Sequence, residues 1–143
     1  MADPRKTTDN EGIGFRAQTF KYDNSIVFDR TKKGCSAQAE AELAVTMTGD
    51  EQVGLVGDAE RVTGKLLSAD SDGFCTVQIE GGCTLKGGTG AALTNGKRIV
   101  GALLAGAKGY IRDAAATAAE DAVAGHEIQN DAVSTAVKVM LGR

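Results

Sequence analysis

The sequence predicts a mainly β protein: a small β-barrel or β-sandwich with an extended N-terminal arm and one candidate short helix. Three observations carry this. Apolar and polar residues alternate from Cys35 to Thr48. Two further strand-like runs, the second of them alternating, flank Asp70-Ser71-Asp72-Gly73, a turn with glycine ready for a positive φ. The chain also holds 19 glycines and a single proline, a composition of tight turns rather than of disorder. Its 143 residues fit one domain. Apolar residues make up 42% but much of that is alanine, and aromatics are 4% with no tryptophan. A core of such small side chains is modest, and subunit association would add burial that a monomer lacks.

Residues 1–24 are polar, with Phe15, Phe20 and Tyr22 scattered in no sustained period. A loop that long inside a domain is unusual, so the stretch reads as an arm that docks on a partner through isolated rings. Residues 25–143 then form a single β-rich domain. In "CSAQAEAELAVTMT" every odd position from Cys35 to Met47 is apolar and every even one but Ala44 is polar. Period two is the signature of a strand with one buried face. Ala, Gln and Glu favour helix, but on a helix this alternation would spread apolar groups around the circumference. A strand is therefore expected, least securely specified over Ser36–Glu42.

Val62–Ala69 and Phe74–Glu80 form the expected hairpin, with Cys75, Val77 and Ile79 on one face. "QVGLV" before it and "RIVGALL" after it read as further strands. "VSTAVKVML" reads as a last strand, with Val133, Val137, Val139 and Leu141 on one side. An edge that apolar needs a neighbour, and closing a barrel supplies one. "DAAATAAEDAVAG" is the helix candidate, capped by Asp113 and ended by Gly125.

The stretch "IEGGCTLKGGTGAAL", Ile79 to Leu93, looks like a phosphate loop and fails in detail. Gly88 stands where the P-loop lysine belongs, and Lys86 comes too early. Leu93 occupies the third glycine position of a dinucleotide fingerprint, and Asn95-Gly96 turns the chain before a helix can open. Neither a cofactor nor a small-molecule substrate is expected. Cys35, Cys75 and Cys83 form no C-x-x-C pair, and buried, reduced thiols are expected of them. His126, the only histidine, excludes a histidine-rich metal site and would have to serve any Cys–His nucleophile pair.

No apolar run of about eighteen residues is present and the start lacks a signal-peptide h-region, so no membrane partner is expected. Net charge is −3, which argues against nucleic acid as the main partner. Residues 1–33 carry seven Lys/Arg against five Asp/Glu, and the remainder nine against fourteen. A mildly basic leader precedes an acidic body.

"VGLVGDAERVTGKLLSADSDGFCTVQIEGGCTLKGGTGAALTNGKRIVG", closing on "AVKVML", resembles the capsid cement (decoration) proteins of tailed bacteriophages. The resemblance covers roughly Ala44 to Leu141 and rests on strands and turns, not on reactive groups. It implies a non-enzymatic structural protein of the virion capsid surface, commonly a homotrimer that bridges neighbouring major capsid subunits. It also implies an extended terminus reaching across neighbours, with Arg5, Lys6, Phe15, Arg16, Phe20, Lys21 and Tyr22 as candidate capsid contacts. On this reading the glycines of "EGGCTLKGGTGAAL" are turns between barrel strands, and Lys86 is a solvated or interface charge. The competing readings are a phage tail or baseplate β-module or a carbohydrate-binding β-domain, the latter poorly served by so few rings, and an enzyme using Cys75 or Cys83 with His126. Alternation places Cys75 on the apolar face, away from the basic surroundings a reactive thiol needs.

Overall fold

The structure, a computed structural model, describes residues 15–88, 93–94, 96–128 and 136–142. The described chain is mainly β. Its strands are β1 (Arg16–Tyr22), β2 (Ala44–Gly49), β3 (Gln52–Leu55), β4 (Gly64–Ala69), β5 (Phe74–Lys86), β6 (Arg98–Leu104), β7 (Ala107–Asp113), β8 (Gly125–Ile128) and β9 (Ala136–Leu141). Two short helices, α1 (Ala37–Glu40) and α2 (Ala118–Val123), sit in the connections.

The expected hairpin forms, and its second strand runs further than the sequence suggested. β5 has 13 residues, and its two halves belong to different sheets. Phe74–Glu80 pairs antiparallel with β4 on one side and β1 on the other. β1 also runs parallel to β3 at Lys21 and Tyr22, β3 pairs with β2, and β2 with β4. That circuit closes into a small five-stranded ring. From Gly81 to Lys86 the same strand pairs with β9, which leads through β8 and β6 to β7. A parallel bridge between Gly87 and Ile111 returns β7 to the end of β5. The terminal strand thus has neighbours on both edges, as its apolar sequence requires, though the bridge at β7 makes the closure.

Each ring holds a core. Phe20, Ile26, Ala39, Val45, Val53, Leu66, Cys75 and Val77 fill the first. The second contains Cys83, Leu85, Ile99, Ile111, Ile128, Val137, Val139 and Leu141, joined by Ala44 at the start of β2 and by Val56 and Val62 from the connection between β3 and β4. Odd positions of β5 face inward throughout, Cys75 and Val77 into one core and Cys83 and Leu85 into the other. The 56–61 segment laces the rings together. Gly109 N donates to Val56 O at 2.8 Å, Ala59 N to Gly101 O at 2.9 Å and Gly101 N to Glu60 O at 2.7 Å.

The bend in β5 has visible causes. Gly81 lies at φ +100°, a region that side chains with a Cβ rarely adopt. The buried Gln78 carboxamide donates to the carbonyls of Glu80 and Gly82, both at 3.1 Å, and so braces the backbone on either side of Gly81. Opposite it, Gly64 lets β4 approach so closely that an added Cβ would overlap the Gln78 carbonyl oxygen.

Several expectations are corrected. Ser36–Glu42 is not strand: a 3-10 turn over Lys33–Cys35 leads into α1, and β2 begins only at Ala44. Cys35 and Glu42 both lie at φ +59°, breaking any ladder there. Among the small alternating residues Ala37, Ala39 and Ala41 only Ala39 is buried, so the period had little apolar area behind it and helix propensity prevailed. Gly81 and Gly82 are not turns but the middle of a strand. The alanine-rich helix is shorter than expected. Asp113 ends β7, Thr117 caps α2 by accepting from Glu120 N, and Gly125 opens β8. Residues 16–22, expected in the arm, are a strand of the first ring. Val133 and residues 1–14 lie outside the described residues.

Two substitutions test the bend. Gln78→Leu leaves two carbonyls without donors and is expected to cost about 1–3 kcal/mol in urea unfolding. Gly64→Ala is expected to cost about 2 kcal/mol or more, because a backbone oxygen stands where the methyl must go.

Candidate functional site

The seven residues expected to contact a partner divide sharply. Arg5 and Lys6 lie outside the described residues. Phe20 is buried in the first core at 9% exposure, because alternation along β1 sends it inward opposite Cys75. Tyr22 packs against the same core and donates its hydroxyl to Asp70 O at 2.6 Å. Those two rings are committed to the fold, which corrects the expectation that they dock elsewhere. Phe15, Arg16 and Lys21 remain on the surface. Phe15 is half exposed at 50%, and Arg16 meets the exposed Glu80 at 3.5 Å, a pair of little energetic weight.

β1 is the most exposed strand of the first ring: Arg16, Ala17, Gln18 and Thr19 are all exposed in succession. β3 accompanies it only at Lys21 and Tyr22, so among the described residues no strand covers that side of β1 beside Arg16–Thr19. Phe74, directly across from Lys21 on β5, adds a second surface ring at 39% exposure. Lys21 and Phe74 therefore stand side by side at one end of β1, while Arg16 lies at its other end with the exposed Phe15 just before it. Sequence reasoning missed Phe74 because it begins a strand whose inward face starts one residue later, at Cys75.

The groups that suggested chemistry are committed to structure. The half-buried His126 sits at φ +60° between two backbone groups. Its Nε2 lies 2.9 Å from Val62 O, and its Nδ1 accepts from Gly142 N at 2.8 Å. Those bonds assign the neutral ring with the proton on Nε2. Burial pushes its pKa below 6.5; the Val62 bond works against that and the charge of Arg61 adds to it. Cys75 belongs to the first core, and burial pushes its thiol up to about 11. Neither side chain suits a Cys–His nucleophile pair, in which the thiolate must form near neutrality. None of the three cysteines is in a disulfide, and Cys75 and Cys83 are buried as expected, whereas Cys35 is half exposed.

The glycine stretch offers no phosphate cradle among its described residues, since Gly88 N already donates to Ile111 O at 2.9 Å. A cleft of about 280 Å³ opens between Arg61, Arg98, Ala124, Gly125, His126 and Gly142, with both arginines exposed at its rim. Among the described residues no group of His, Cys, Asp or Glu is placed to hold a metal ion, and no helix is long and apolar enough to cross a membrane.

No protein-family model matches the chain, and no curated protein matches it. The site must be argued from its geometry.

Two measurements check the commitments of His126 and Cys75. His126 has a lowered pKa in the folded state, so its unfolded form binds more protons at mildly acid pH. Its contribution to stability is present above about pH 6.5 and is lost as pH falls through the folded-state pKa below that. Unfolding free energy measured from pH 7.5 to 5 should show this decline, and His126→Ala should flatten it while lowering stability at pH 7.5. With iodoacetamide at pH 8, Cys35 should react well before Cys75; equal rates would mean that the first core opens readily.

Proposed function

We propose that this protein is a structural, non-enzymatic virion component that binds the outer surface of a tailed-phage capsid as a homotrimer and bridges neighbouring major capsid subunits. The resemblance of the segment running from the Gly54-Leu55-Val56-Gly57 strand end to the terminal valine-rich strand supports the reading. The observation that carries it is the exposed run Arg16–Thr19 of β1, flanked by Phe15 and Arg16 at one end and by Lys21 with its neighbour Phe74 at the other. Aromatic and arginine anchors with basic neighbours suit docking on a surface rather than turnover of a small molecule.

Two rings that share β5 and are laced together at residues 56–61 make a stiff body, which suits a part that must hold its shape between shell subunits. Each contact need only be weak. A trimer engaging several subunits makes its later contacts intramolecular, and avidity multiplies accordingly. The basic side chains on β1, set on an acidic body, would steer docking to acidic ground on the shell.

Co-sedimentation with shells of the parent phage stripped of this protein tests the proposal. Wild-type protein should pellet with the shells. Phe15→Ala combined with Lys21→Glu should bind at least about tenfold more weakly, with unchanged β-type circular dichroism. Failure of the wild-type protein to pellet would sink the reading. Light scattering on the free protein reads its trimeric state separately.

A further inference from the structure

The hydrogen bonds of β1 alternate in direction. Tyr22 N donates across to Gly73 O at the start of β5, whereas Lys21 N and Asp23 N donate to Glu51 O and Val53 O on the β3 side. In an extended strand the N–H and C=O of one residue point the same way, and those of the next point oppositely. Gln18 and Phe20 therefore turn their backbone groups to β5, opposite Val77 and Cys75. Ala17 and Thr19 turn theirs to the β3 side, where β3 has already ended. No described residue pairs with those four backbone groups, and both residues are exposed. The gap also explains Gln18. It shares the inward face of Phe20 and Val77 yet is exposed, because no described strand stands beside it on the β3 side.

An exposed row of unpaired backbone groups is a template for strand addition. We infer that the open edge of β1 at Ala17 and Thr19 takes an extended segment of a major capsid subunit, bearing acidic side chains near Arg16 and Lys21, as an added strand. The inference rests on the capsid-binding reading and specifies its partner. Main-chain donors and acceptors select an extended backbone. The small or polar side chains of Ala17, Gln18 and Thr19 form no apolar pocket, so selectivity falls to the flanking cations. A second copy of this edge fits poorly, since antiparallel pairing of two β1 strands would bring Arg16 of one copy to the end holding Lys21 of the other.

Amide hydrogen exchange on the full chain, free and bound to stripped shells, tests this directly. The amides of Ala17 and Thr19 should exchange rapidly in the free protein and slow at least about tenfold on the shells. Gln18 and Phe20, already bonded to β5, should be protected in both states. Thr19→Pro removes an outward N–H without touching the β5 ladder, and should lower shell affinity about tenfold while leaving the fold intact. Shell binding with Ala17 and Thr19 still exchanging freely overturns the inference and leaves the capsid reading standing. Failure of the wild-type protein to bind shells overturns both. Protection that rises with protein concentration in the absence of shells identifies a second copy as the occupant and overturns the inference.

Discussion

The bend at Gly81 and Gly82 is the constraint on which the rest of the fold depends. A straight β5 could belong to only one of the two rings. With the bend, its first half completes the ring of β1 to β4, and its second half starts the ring of β6 to β9. Gln78 braces the bend because its carboxamide donates to the carbonyls on either side of Gly81. A buried amide is costly unless satisfied, and these two bonds satisfy its donors. The lacing at residues 56–61 then fixes the second ring against the loops of the first.

Sharing one strand also accounts for the composition. Neither ring encloses much volume, so each is filled by valine, isoleucine, leucine and alanine, with one buried phenylalanine, Phe20, in the first. The ion pairs lie mostly outside. Arg112 is the exception in consequence: it reaches Asp58 on the lacing segment and Glu120 on α2. It therefore ties the segment between the rings to the helix that precedes β8. Surface pairs alone contribute little, but one that spans three segments limits how they move relative to each other.

The hairpin at Gly73 was legible because alternation along its second strand coincides with burial, and the strands at 52–55 and 98–104 because their short apolar runs are buried as runs. At Ser36–Glu42 the same alternation misled, since its apolar members were alanines with almost nothing to bury. The length of β5 was hidden by its glycines, which read as punctuation in one dimension and serve as a bend in three. Phe20 and Tyr22 looked like free rings because the polar residues around them conceal a strand whose inward face carries few apolar side chains. The candidate site was half visible. Phe15, Arg16 and Lys21 could be named from the sequence, whereas the open edge between them depends on where β3 stops. That ending is set by the turn at Asp50 and Glu51, and no pattern within β1 announces it.

The shared strand also dictates an order of assembly as the chain leaves the ribosome. The first ring lacks nothing once Glu80 has emerged, so it can form while the remainder is still being made. The second half of β5 is then already extended from a finished ring, carrying Cys83 and Leu85, but its partner β9 is the last strand to appear. Until then that half-strand is an unprotected apolar edge on a folded body, and non-local partners of this kind form slowly. Misassembly between nascent chains is therefore expected at Gly81–Lys86, an apolar half-strand that stands on a folded ring until β9 appears.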